Sequence, residues 1–215
     1  MLIRPSFLSD TARPAKHCTP VEKYESIEEL VALCAQGKLY GVEQWIAEGK
    51  PIQCEPLTDR KMRKKYTPLS IVVRNGFYSL AELLLVNGYN PNGDYYESLT
   101  PAVETKNHSM VELLFRFGAD PTAVDFSKVL GTYDRGLMDY FIAAGVDPCA
   151  DNAVAKAFGS KARPLLGFVK TYKERFPGLQ GQIDIALHSF VDQEDEKGVC
   201  FMLWLGAGFR RHHRR

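Results

Sequence analysis

A glycine that recurs at near-regular intervals, each time closing an apolar helical run, constrains this chain more than any other feature of its 215 residues. The stretch from Tyr66 to Asn92, YTPLSIVVRNGFYSLAELLLVNGYNPN, shows the pattern most clearly. Thr67 is placed to cap a first helix, and Pro68 stands at that helix's first position, where a missing N–H costs nothing. Gly76 ends the helix in a conformation that other residues resist. Leu80, Leu83, Leu84 and Val86 fall at helical spacing and form an apolar face, and Gly88 stops the second helix. Two helices this short cannot bury their apolar faces alone, so the unit has to stack on further copies of itself.

The copies are present. The glycines that close the second helix align as Gly49, Gly88, Gly118 and Gly145, at intervals of 39, 30 and 27 residues. The same register starts the first helices at Glu28, Thr67, Glu97 and Val124. Three units end alike, in NGYNPN, FGADPT and AGVDPC, and the first ends in EGKPIQ. The next such ending, LGAGFR at Gly206, lies 61 residues after Gly145 and leaves room for two units. The Thr67-Pro68-Leu69 opening and these endings resemble the ankyrin repeat, whose opening reads T-P-L-H-x-A over a period of about 33 residues. The resemblance covers residues 26–208. It implies an all-α ankyrin-repeat solenoid of about five to six stacked helix pairs with short β-hairpin fingers, between an extended N-terminal arm over 1–25 and a basic tail over 209–215.

Within that frame the units differ. Ser26 and Glu29 have capping-box spacing at the start of the first unit, with Leu30, Val31, Leu33 and Cys34 facing inward and Gly37 in the slot of Gly76. Val42, Trp45 and Ile46 form the apolar face of its second helix. In the third unit Leu99 matches Leu69, and Lys106 replaces the turn glycine, which calls for a turn of another geometry. The fourth unit loses the opening motif but keeps Val129, Leu130, Leu137, Tyr140, Phe141 and Ile142. Beyond it, Ala153 to Phe158 suits a short helix broken by Gly159, and Pro164 opens a longer one. The last unit, from Ile183 to Gly206, places Ile185, Ala186, Leu187 and Phe190 in one helix and crowds Val199, Phe201, Met202, Trp204 and Leu205 into the other.

Composition narrows the function. An apolar fraction of 45% supports a packed core, and a net charge of +1 provides no global field toward nucleic acid or membrane. The five cysteines, at 18, 34, 54, 149 and 200, are scattered without a C-x-x-C, which reads as reduced thiols rather than a disulfide framework or zinc site. The opening MLIRPSFLSD lacks the apolar core of a signal peptide, and no apolar run is long enough to span a bilayer. A cytoplasmic protein is the expectation. Phosphate-binding loops, nucleophile elbows and H-E-x-x-H are missing. The five histidines have no acid or cysteine partner at a useful spacing. The expectation is no enzyme, no catalytic residue, no cofactor and no metal.

Ankyrin arrays bind proteins through their fingers and the inner face of their first helices. Carried onto this sequence, those positions are Arg63, Lys64, Tyr66, Arg74 and Asn75 in the second unit, Asp94, Tyr96, Glu104 and Thr105 in the third, and Thr132 in the fourth. The segment Asp59-Arg60-Lys61-Met62-Arg63-Lys64-Lys65 makes one finger strongly basic, which suits a partner protein with an acidic patch. Asn92-Gly93-Asp94-Tyr95-Tyr96 gives the next a turn signal and two aromatics. A non-catalytic protein-interaction scaffold is the implied function. One alternative is the recognition part of an effector or multidomain enzyme whose active segment lies outside this chain. A weaker one is nucleic-acid binding through the finger at 60–65 and the basic tail.

Overall fold

A computed structural model describes residues 20–55, 66–93, 98–159 and 165–208. Its helices alternate between inner and outer members of successive pairs: α1 (Glu28–Ala35) and α2 (Leu39–Ala47), α3 (Pro68–Asn75) and α4 (Tyr78–Val86), α5 (Leu99–Glu104) and α6 (His108–Arg116), α7 (Phe126–Gly131) and α8 (Arg135–Ala143), α9 (Ala153–Phe158) and α10 (Leu166–Tyr172), α11 (Gly178–Asp192) and α12 (Glu196–Trp204). Among the described residues the only β-pairing is an isolated parallel bridge between Val21 and Cys54. The finger segments 56–65 and 94–97, and the tail beyond Gly208, lie outside the described residues. The later pairs are joined instead by 3-10 turns, Pro121–Ala123 and Ala150–Asn152.

The chain divides into two compact units, Met1–Val124 and Asp125–Arg215. In the first, α1 packs on α3 and α3 on α5, while α2 packs on α4 and α4 on α6. In the second, α7 packs on α9 and α9 on α11, with α8 against α7 and α12 against α11. Each unit thus buries the faces that a lone helix pair would leave wet. Leu30, Leu69, Leu99 and Phe126 are the same residue of successive inner helices, and all are buried.

The register is stricter than the sequence suggests. A residue in the left-handed conformation turns α1, α3, α5, α7 and α11 into their outer partners at Gly37, Gly76, Lys106, Tyr133 and Glu194. A left-handed glycine closes the outer helix at Gly49, Gly88, Gly118, Gly145 and Gly206, always twelve residues later. The five outer helices between them all have nine residues. After each closing glycine the next amide bonds back to the helix, as Tyr89 N–H does to the Leu84 carbonyl (3.1 Å) and Val146 N–H to that of Phe141 (3.1 Å).

Lys106 therefore keeps the glycine geometry, at φ 53°, rather than adopting another turn. A left-handed non-glycine residue costs about 1–2 kcal/mol, and the next residue offsets much of it. Where the turn is glycine, the following Lys38 or Phe77 gives α2 and α4 no side-chain cap. Where it is not, Asn107, Asp134 and Asp195 follow, and each side chain accepts from the third amide of its helix: Met110 (3.1 Å), Leu137 (3.2 Å) and Gly198 (3.0 Å).

Other expectations are corrected locally. Ser26 lies in a 3-10 turn, Tyr24–Ile27, and no capping box opens α1. The box occurs instead between Thr67 and Ser70 at α3. The last inner helix begins at Gly178, five residues before Ile183, and runs for fifteen residues. Of its apolar residues Ile185 is exposed, as is Trp204 on α12. Part of the expected arm is packed: Tyr24 is buried with Ile27 and Cys54, and Val21 exchanges backbone bonds with Gln53 and Glu55.

Two amides join successive post-glycine loops of the first unit. Gln53, four residues after Gly49 and 1% exposed, donates to the Asn90 carbonyl and accepts from the Asn90 N–H, both at 3.0 Å. Asn92, four residues after Gly88, donates to the Gly118 carbonyl and accepts from the Asp120 N–H, both at 2.8 Å. Three substitutions test this account through the midpoint of urea unfolding. Lys106→Gly should stabilise by about 1 kcal/mol by relieving the strained backbone. Asn107→Ala should cost about 1 kcal/mol by removing a cap. Gln53→Ala should cost about 1–3 kcal/mol because the Asn90 N–H loses its partner and the Asn90 carbonyl keeps only the Gly93 amide.

Candidate protein-interaction surface

The inner helix α3 carries the best-defined part of the expected site. Thr67 caps it and Pro68 opens it, which fixes Tyr66 just outside the first turn. The Tyr66 carbonyl accepts a hydrogen bond from the Tyr24 hydroxyl (2.8 Å). Burial, with the Glu28 carboxylate and Cys54 behind it, pushes the Tyr24 phenol up, so that group stays a donor. The Tyr66 side chain lies along α3. Its hydroxyl accepts from Arg74 Nη1 at 2.7 Å, two helical turns on, and the guanidinium carbon lies 5.3 Å from the ring centroid. Both side chains remain exposed although their geometry is fixed.

Beside them, Asn75 Nδ2 donates to the Ala35 carbonyl at 3.4 Å and so ties the end of α3 to the end of α1. Glu104 and Thr105 occupy the matching places on α5, and both are exposed. The Thr105 hydroxyl donates back to the Pro101 carbonyl (2.9 Å), which leaves its methyl and the Glu104 carboxylate as the outward groups. Tyr66, Arg74, Asn75, Glu104 and Thr105 are thus all on the unit Met1–Val124. Arg63, Lys64, Asp94 and Tyr96 lie outside the described residues.

Thr132, in the unit Asp125–Arg215, sits differently. It is 8% exposed, its hydroxyl donates to the Val129 carbonyl (2.7 Å), and its oxygen accepts from the Asp134 amide (3.1 Å). This hydroxyl serves the turn that holds Tyr133.

An open groove of about 460 Å³ runs between α4 and α6, lined by Tyr78, Asn107, Ser109, Glu112, Leu113 and Arg116. Two of its polar side chains are engaged locally: Asn107 caps α6, and Arg116 pairs with Glu82 at 3.0 Å. Among the described residues no three His, Cys, Asp or Glu side chains are grouped to hold a metal ion. No described helix is long and apolar enough to cross a membrane. Burial pushes the Cys34 thiol up to about 12, and burial followed by the Asp147 carboxylate pushes Cys149 up to about 11. Neither thiol supplies a nucleophilic thiolate near neutrality.

No protein-family model matches the chain, and no curated protein matches it in sequence. Among solved structures it is similar to the crystal structure of the human ASB11 ankyrin repeat domain, with a TM-score of 0.58 and 18% identity over 86% of each chain. The fold is therefore that of an ankyrin-repeat domain, as the Thr67-Pro68-Leu69 opening and the repeated glycines implied.

Thiol labelling checks the burial pattern. At pH 8 the exposed Cys200 should react with a thiol reagent at once, while the buried Cys34 and Cys54 should wait for unfolding. Peptide mapping by mass spectrometry gives the order, and early labelling of Cys34 would contradict the packing of α1 on α3.

Proposed function

We infer that this chain is a non-catalytic protein-interaction module. Its partner docks on the side of the unit Met1–Val124 that carries Tyr66, Arg74, Asn75, Glu104 and Thr105. The observation that carries the reading is the Tyr66–Arg74 pair, an exposed aromatic and an exposed cation held in one arrangement before any partner arrives. Tyr and Arg are the residues most enriched among energetically dominant interface positions, and preorganisation lowers the entropy cost of using them. The scaffold supports the reading as well, because ankyrin-repeat domains are in general protein-interaction modules. Arg63, Lys64, Asp94 and Tyr96 are the further residues we assign to contact with the partner. Their basic members favour a partner with an acidic patch, and the cytoplasm is the compartment that suits five scattered cysteines.

The test is recovery of co-purifying proteins with wild type and with the triple variant Arg63→Glu, Lys64→Glu, Arg74→Glu. A specific partner should be retained by the wild type and lost, by about tenfold or more, with the triple variant. Equal recovery of that partner by both proteins would remove this surface from the binding site.

A further inference from the structure

The three left-handed turns of the unit Met1–Val124 lie side by side. A Cβ on Gly37 would stand 3.1 Å from the Phe77 ring, and one on Gly76 would stand 3.9 Å from Asn107 Nδ2. The Asn75 bond to the Ala35 carbonyl joins the ends of α1 and α3 at the same level. The turns therefore follow the packing of α1 on α3 and α3 on α5, and neighbouring pairs succeed one another at about 8–10 Å. Each turn carries an exposed cation at its left-handed residue or within two residues of it: Lys38 after Gly37, Arg74 before Gly76, and Lys106 itself.

These cations are not spent on the protein itself. Among the described residues no ion pair or side-chain hydrogen bond holds Lys38 or Lys106. Arg74 is held by Tyr66, whose hydroxyl accepts from one guanidinium nitrogen. The remaining guanidinium N–H groups and the phenolic proton are left to donate outward. The turn residues 35–38, 74–77 and 104–107 hold three cations and one carboxylate, Glu104. Exposed amides lie on the same row. The Gln36 side chain has no partner among the described residues, and Asn75, which donates to Ala35, keeps its oxygen as an acceptor.

We propose that this row of turns binds an extended acidic segment of the partner protein, whose carboxylates, three residues apart, meet Lys38, Arg74 and Lys106 in succession. The proposal rests on the reading of this side of the unit as the partner-binding surface and names the partner's chemistry there. A chain in the polyproline II conformation has three residues per turn and rises about 3.1 Å per residue, so every third side chain returns to the same side after about 9 Å. That step matches the spacing of the helix pairs. Its backbone has no internal hydrogen bonds, so its peptide groups are free to bond the Gln36 and Asn75 amides, which a helical segment would leave unmet. Glu104 is the one group in the row that opposes such a segment.

Fluorescence anisotropy of the full chain with a labelled peptide of four Glu-Pro-Pro repeats, at low salt, tests it. The peptide should bind about tenfold more tightly than its Gln-Pro-Pro counterpart, and added salt should weaken the complex. It should also bind more tightly than an isomer of the same composition with its glutamates contiguous. Lys38→Glu with Lys106→Glu should raise the dissociation constant by about tenfold or more, and Glu104→Lys should lower it. Lys128→Glu with Lys197→Glu makes the same change in net charge at exposed sites on the unit Asp125–Arg215 and should leave binding unchanged. All these side chains are exposed, so helix content by circular dichroism should hold. Equal binding of the Glu and Gln peptides overturns the proposal. So does equal binding of the two Glu isomers, or indifference to Lys38→Glu with Lys106→Glu. If a co-purifying partner is still lost with Arg63→Glu, Lys64→Glu, Arg74→Glu, the surface stands and the extended acidic segment alone is removed.

Discussion

The chain reverses direction at a residue in the left-handed conformation, and the rest of the structure depends on where those reversals fall. Two residues after each one an outer helix begins, and twelve residues after it a left-handed glycine ends that helix. This fixed interval places the buried faces of α2, α4, α6 and α8 in the same phase relative to their inner partners. Hence Val42, Ala81, Val111 and Met138 are all buried five residues after their turns, although the side chains differ in size. A helix of nine residues has little stability of its own in water. Its persistence here rests on a phase that lets each neighbour cover it.

That dependence accounts for what could be read from the sequence. Gly49, Gly88, Gly118, Gly145 and Gly206 mark the ends of outer helices because almost no other residue takes a left-handed φ there without strain. The turns were less legible, since Lys106, Tyr133 and Glu194 pass for ordinary helix or loop residues. Their neighbours held the missing signal: Asn107, Asp134 and Asp195 are strong capping types, and the structure uses all three as caps. The start of α11 was hidden for another reason. Gly178 and Gly181 are poor helix formers, and they lie in a helix whose opposite side is fixed by Leu179, Gln182 and Ile183.

The candidate site was legible only as positions. Register alone puts Arg74 with Glu104, and Asn75 with Thr105 and Thr132, at equivalent places. It does not say that the Arg74 guanidinium would meet the Tyr66 hydroxyl eight residues earlier, nor that Tyr24 would hold the Tyr66 carbonyl. Those contacts depend on side-chain length and on a segment that looks irregular in sequence. Thr132 shows the same limit from the other direction. It is equivalent to two exposed residues, Asn75 and Thr105, but it is buried, and its hydroxyl bridges the Val129 carbonyl and the Asp134 amide around Tyr133.

The unit Asp125–Arg215 departs furthest from the repeated motif, and buried polar side chains do there what the motif does elsewhere. Asp151 and Asn152 enter α9 with left-handed backbones. Gln182 of α11, 5% exposed, accepts from the Ala155 amide (3.2 Å) in the first turn of α9 and donates to Asn152 Oδ1 (3.0 Å). Asp184 accepts from the Gly208 amide and from Gln180, which itself donates to the Gly206 carbonyl, each at 2.9 Å, so the chain leaving α12 is tied back to α11. Close approach of the two helices at Gly198, where a Cβ would collide with the Phe190 ring, completes the pair. A polar group buried in this way is held by the cost of leaving it unsatisfied. The second unit therefore adds these side-chain bonds around α9 and α11 to the left-handed turns and closing glycines that it shares with the first.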